Sequence, residues 1–142
     1  HSGSLAHVIP ASAVVMQRPI HGLDIEPARA YVDALEDVRL PEATLTWENP
    51  ERGRIVAEVG EGQVIAVQMN YDVGWRAKRD GRDLAVRKDG LGMMVIEPGG
   101  RGHAEIELAF DGGAKRGVCS AISAAMAAGL LAVIVIGVGI YK

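Results

Sequence analysis

Gly117 to Tyr141 are twenty-five consecutive residues without a charge, and no other feature constrains the chain as strongly. Coiled as an α-helix at about 1.5 Å per residue, they reach roughly 37 Å, more than the roughly 30 Å of a bilayer's hydrocarbon core. Lys115 and Arg116 stand before the stretch, and Tyr141 and Lys142 close it. Such residues suit the polar interface of a membrane. The expectation is a transmembrane helix over 115–142, counting its basic flanks, and one ordinary domain over 1–114 held at a membrane surface.

Residues 1–114 hold 12 of the 15 Lys+Arg and all 18 Asp+Glu, a formal charge of −6. There is no basic run, which argues against nucleic acid and against electrostatic binding to anionic lipid. The single cysteine, Cys119, lies inside the uncharged stretch, so no disulfide can staple the domain. No Asn-x-Ser/Thr acceptor is present. No signal peptide is visible in the sequence, and the expectation is that either the helix inserts as a tail or further membrane helices precede His1. Ser120, Ser123, Ala121, Ala124, Ala125, Ala127, Ala128 and Gly129 give the stretch a small-residue surface, and Gly137 and Gly139 extend it. Small residues let helices approach closely, so a packed helix of a multi-pass protein is expected rather than a lone anchor.

Along the domain, Leu5–Ile9 and Ala13–Met16 predict short strands broken at Pro10. Asp24–Asp37 predicts the one helix: Pro27 suits its first turn, and Ala28, Tyr31, Val32 and Leu35 share a face. Pro41 bars its continuation. The period then changes to two. Strands are expected at Ala43–Trp47, Arg54–Val59, Gln63–Tyr71, Trp75–Arg79, Leu84–Arg87, Leu91–Ile96 and His103–Phe110. Gln63–Tyr71 is apolar on both faces and predicts a central strand. Asp80-Gly81 predicts a tight hairpin, because glycine accepts positive φ without steric cost. Short strands at this spacing with one helix predict a mainly β, antiparallel β-sandwich, jelly-roll or immunoglobulin-like.

No catalytic constellation is visible. His1, His7, His21 and His103 form no paired motif and have no cysteine partners, so no metal site is expected. Gly60-Glu61-Gly62, Gly90-Leu91-Gly92 and Gly99-Gly100-Arg101-Gly102 lie between strands, where hairpin turns are expected rather than phosphate loops. Asp80, Asp83 and Asp89 lack Ca²⁺-loop spacing. There is no nucleophile elbow. No cofactor is expected. Trp47, Tyr71 and Trp75 are three of only six aromatic residues. They either fill the core or form a stacking surface for a sugar, and core filling is the commoner use.

The ordered set Tyr71-Asp72-Val73-Gly74-Trp75-Arg76-Ala77, Asp80-Gly81-Arg82, Leu91 to Gly99 and Ile106-Glu107-Leu108-Ala109-Phe110 resembles the C-terminal extracytoplasmic domain of YfhO-like bacterial membrane proteins. The likeness runs from Gln63 to the end. It departs where Asp72-Val73 replaces the frequent proline before Gly74. The resemblance implies the C-terminal portion of a large multi-pass protein of glycosyltransferase type, using lipid-linked sugars in cell-envelope glycosylation. The catalytic carboxylate of that group lies in an early loop, so none carries over to this sequence. Gly74 and Gly81 are implied to serve turns, and Trp75 the core.

The expected location is therefore the extracytoplasmic side of a bacterial cytoplasmic membrane. The expected partners are the bilayer, preceding transmembrane helices of the same chain, and a glycan or lipid-linked sugar, but no nucleic acid. The competing expectation is a membrane-anchored β-sandwich that binds a protein or glycan at the cell surface. A self-sufficient hydrolase has the least support.

Overall fold

The structure, a computed structural model, describes residues 4–20 and 25–112. Two antiparallel sheets face each other. One has four strands in the order β1-β4-β8-β7, from β1 (Ala6–Pro10), β4 (Gln63–Asn70), β7 (Val86–Lys88) and β8 (Met93–Ile96). The other has five in the order β2-β3-β9-β5-β6, from β2 (Ala43–Asn49), β3 (Arg52–Val59), β5 (Trp75–Arg79), β6 (Arg82–Leu84) and β9 (Gly102–Phe110). The first, second, fourth and fifth strands of an immunoglobulin domain share one sheet. Here β1 and β4 are in one sheet and β2 and β5 in the other, so the immunoglobulin variant of the expected sandwich is not the one formed.

The main core lies between the sheets. Ile55, Ile65, Val67, Met94, Ile96, Ile106 and Leu108 are at most 1% exposed there. The alternation in β9 produces this directly: Ala104, Ile106 and Leu108 point in, and Glu105 and Glu107 point to solvent. β9 is the middle strand of its sheet. β4 is interior too, between β1 and β8, and both of its faces are buried. Ile65 and Val67 enter the main core, while Val64 and Ala66 enter a second cluster with Ile9, Val14, Val15, Tyr31 and Val95.

Helix α1 (Glu26–Glu36) covers that second cluster. Its face is Tyr31 with half-buried Ala28, Ala34 and Leu35, whereas Val32 is 45% exposed and lies on the flank. Pro27 lies in the first turn, and the Asp37 N–H donates to the Ala34 carbonyl as the helix ends. The second predicted strand, Ala13–Met16, does not form. A 3-10 turn over Ala11–Ala13 follows Pro10, and Val14 and Val15 then pack as extended chain beside α1. The Val15 carbonyl accepts the Gly90 N–H at 2.6 Å. A Cβ on Gly90 would stand 2.5 Å from the Gln17 carbonyl oxygen, so this close approach needs glycine.

The predicted strand Leu84–Arg87 is divided. Residues Arg82–Leu84 pair with β5 in one sheet, and Val86–Lys88 pair with β8 in the other, so the chain changes sheet at Ala85. Asp80 and Gly81, both with positive φ (52° and 76°), make the β5–β6 hairpin. Gly60–Gly62 and the Pro98–Arg101 loop differ from the hairpins expected: they connect β3 to β4 and β8 to β9, from one sheet to the other. Among the described residues no helix is long and apolar enough to cross a membrane, and the expected span at 117–141 lies outside them.

Candidate functional site

Three aromatic residues, Trp47, Trp75 and Phe110, gather at one end of the five-stranded sheet, where β2 and β9 finish and β3 and β5 begin. Trp75 pairs with Phe110 across the β5–β9 ladder, and their rings are 5.1 Å apart at 55°. Trp47 tilts onto Trp75 as well, at 5.9 Å and 56°. Such tilted pairs favour the edge-to-face attraction of aromatic quadrupoles. Trp47 can reach Trp75 because its ladder partner is Gly53, over which the indole lies. Trp75 is 9% exposed and Trp47 37%.

Of the three residues singled out from sequence, the structure brings Trp47 and Trp75 into ring contact. Tyr71 is half-buried against the main core and joins neither ring. Phe110 completes the cluster. The alternation of β9 places it on an inward face, but its contact with Trp75 depends on strand register. With Trp75 enclosed, the open aromatic surface here is Trp47.

The chain around this end is tightly tied. The Phe110 N–H donates to the Glu51 carbonyl at 2.8 Å, and the Asp111 N–H to the Gly74 carbonyl at 2.9 Å. The Asp72 carboxylate accepts the Gly74 N–H at 2.8 Å, and the Trp75 N–H donates to the Asp72 carbonyl. This turn projects Val73, which is 64% exposed.

The outer face of the same sheet is charged. Arg54, Glu107 and Lys78 are in register on β3, β9 and β5, with Asp83 of β6 opposite Lys78 at 3.9 Å. Alternating signs across a sheet stabilise neighbours weakly and keep the face solvated. In the next row Arg52 and Arg76 flank Ala109, and Arg76 pairs with Asp111 at 3.4 Å.

A cleft of about 570 Å³ lies between β1, the end of α1 and the start of β2, and its lining includes Ser4, His7, Glu42 and Thr44. His7 faces Glu42 across an isolated bridge, and its Nε2 is enclosed without a hydrogen-bond partner. The Ser4 hydroxyl donates to the Ala43 carbonyl at 2.8 Å, with the Ala6 carbonyl at 3.0 Å as the alternative acceptor, and makes no hydrogen bond to His7. A serine so engaged is not activated as a nucleophile. His103 lies elsewhere, with Nδ1 2.6 Å from Glu58 Oε1 and Nε2 3.6 Å from Glu105 Oε1. The Glu58 hydrogen bond, chiefly, raises its pKa above the ordinary histidine value. His1 and His21 lie outside the described residues.

Asp80, Asp83 and Asp89 do not converge. The first two belong to the β5–β6 hairpin, and Asp89 is buried in the turn between β7 and β8. Its Oδ1 accepts the N–H groups of Leu91 and Met93, both at 2.8 Å. Among the described residues no three His, Cys, Asp or Glu side chains come together as metal ligands. Sequence reasoning missed two buried polar groups, on Asp89 and Tyr31. Asp89 Oδ2 and the Tyr31 hydroxyl are both buried without a partner. Burial first, and the Asp89 charge second, push the Tyr31 pKa up to about 12.

No family model, no curated protein and no solved structure matches this chain.

Proposed function

We propose that this domain is a non-catalytic β-sandwich carried at a membrane surface by the uncharged stretch that follows it. In this reading it is the C-terminal portion of a YfhO-like integral membrane protein of the bacterial cytoplasmic membrane, on the extracytoplasmic side. Such a protein would serve cell-envelope glycosylation from lipid-linked sugar donors. The domain would shape the outer mouth of the transferase or seat its acceptor, beside preceding transmembrane helices of the same chain.

One observation supports the membrane part of this reading. The central strand β9 ends at Phe110, locked into the aromatic end of the sandwich, and the uncharged stretch begins a few residues later. A rigid exit so close to a span-length apolar segment suits a domain seated at a bilayer. The open indole of Trp47 favours a second reading, a membrane-anchored surface module that binds a glycan or protein through that ring.

Fractionation tests the membrane part. The full chain should stay with membranes through an alkaline wash, and Ile134→Arg should release it. A wild-type chain that washes off would sink both readings. The gene upstream of His1 separates them: a run of further hydrophobic spans supports the multi-pass protein, and a signal peptide directly before His1 supports the surface module.

A further inference from the structure

We propose that the aromatic end of the sandwich docks on the bilayer interface, with Trp47 and Val73 at the depth of the lipid headgroups. This rests on the membrane reading above and adds an orientation and a contact surface to it.

The tether sets the orientation. From Gly112, the last described residue, to Gly117, where the uncharged stretch starts, there are five residue steps. Fully extended, five steps span at most roughly 18 Å. Whatever path residues 113–116 take, the end of the domain holding Gly112 must lie within that distance of the start of the span. Gly112 follows Asp111, whose N–H is bonded to the Gly74 carbonyl in the Val73 turn. The other end of the sheet, with Val59 and Gly102, is the length of β9 away.

The chemistry of this end fits the interface. Val73 occupies the tip of a turn held by Asp72, where a polar side chain would be easier to solvate. Leu91 is 36% exposed in the adjoining turn, whose Gly92 carbonyl accepts the Tyr71 N–H. Trp47 exposes part of its indole at the same end, and tryptophan is enriched at membrane–water interfaces because its ring is amphipathic. Among the described residues of this end, Arg52 and Arg76 are outnumbered by Glu51, Asp72 and Asp111, so the face itself offers no basic cluster; Lys115 and Arg116 belong to the tether and flank the span. The docking is therefore apolar. It needs no anionic lipid and survives high salt, unlike polybasic attachment.

The test uses the full chain reconstituted in phosphatidylcholine vesicles, with flotation reporting insertion. The chain has two tryptophans, so Trp75→Phe, which keeps an aromatic ring in the core, leaves Trp47 as the single emitter. Trp47 is expected to be quenched by lipids brominated near the headgroup and shielded from aqueous acrylamide, equally at low and high salt. An environment-sensitive dye on Val73→Cys, with Cys119→Ser, should report the same without relying on ring packing. If the chain floats but both probes stay open to acrylamide and blind to bromolipid, the docking is wrong and the anchor stands. If the chain does not float, both fail. Quenching that requires anionic lipid or vanishes in high salt overturns the apolar basis.

Discussion

Gly53 lies opposite Trp47 in the β2–β3 ladder, and a Cβ there would come within 3.0 Å of the indole and 3.1 Å of Leu45. Gly53→Ala should therefore push Trp47 off Trp75. The expected cost is about 1–3 kcal/mol of stability, seen as a lower denaturation midpoint together with a weaker near-ultraviolet dichroism. A midpoint change without a change in the aromatic signal would place the strain elsewhere. Tyr31 gives a second prediction. Its folded pKa is raised from 10.0 to about 12, so its contribution is complete below pH 10.0 and is lost as pH rises through about 12. Two pKa units correspond to about 3 kcal/mol. Tyr31→Phe should remove that part of the alkaline loss, and unchanged alkaline unfolding of the variant would refute it. His103 is also raised, so its pairing with Glu58 stabilises the fold below the ordinary value of 6.5 and fades as pH rises through its folded pKa. A proton-resonance titration should find its midpoint above 6.5, falling back in Glu58→Gln.

At the scale of elements, β4 organises the domain because each of its faces meets a different layer. Ile65 is fully buried between the sheets, and Gln68 in the same strand is exposed. Ile65→Ala should cost about 2–5 kcal/mol, and Gln68→Ala should change stability by less than about 0.5 kcal/mol. A urea denaturation series decides this; equal effects would mean that β4 is not interior. The double burial of β4 was legible, because a run apolar on both faces has no solvent side to offer. The alternation of β9 and the Asp80-Gly81 hairpin were legible for similarly local reasons. The fate of Ala13–Met16 was not. Two adjacent valines suit a strand by propensity, but Pro10 and the turn after it set them under α1, where they pack without a ladder. Ala85 likewise has no local mark. The residues on either side pair with different sheets, and only the closure of the sandwich decides where one pairing stops.

At the scale of the whole molecule, among the described residues five of the connections between consecutive strands pass from one sheet to the other, and β2–β3, β5–β6 and β7–β8 are hairpins within a sheet. This makes the fold dependent on long-range pairing. It also brings the start of β5 and the end of β9 together at the same end, and so fixes where the chain leaves the domain. The membrane prediction belongs at this scale. On the proposed reading, in which the uncharged stretch is the anchor, Trp47→Phe and Val73→Asp should leave flotation of the full chain intact, while Ile134→Arg should abolish it. Residue pattern alone determined that this is a β protein with one covering helix and a span-length uncharged end, because side-chain period and continuous hydropathy are local properties. It also marked Trp47, Tyr71 and Trp75 as a set. Tertiary structure alone decided that Trp75 is enclosed by Trp47 and Phe110, that Tyr71 stands apart, and that the polar ends of Asp89 and Tyr31 are buried without hydrogen-bond partners. Those outcomes depend on register and on which sheet each strand joins. Residues far apart in sequence settle both, by burying the most apolar surface together.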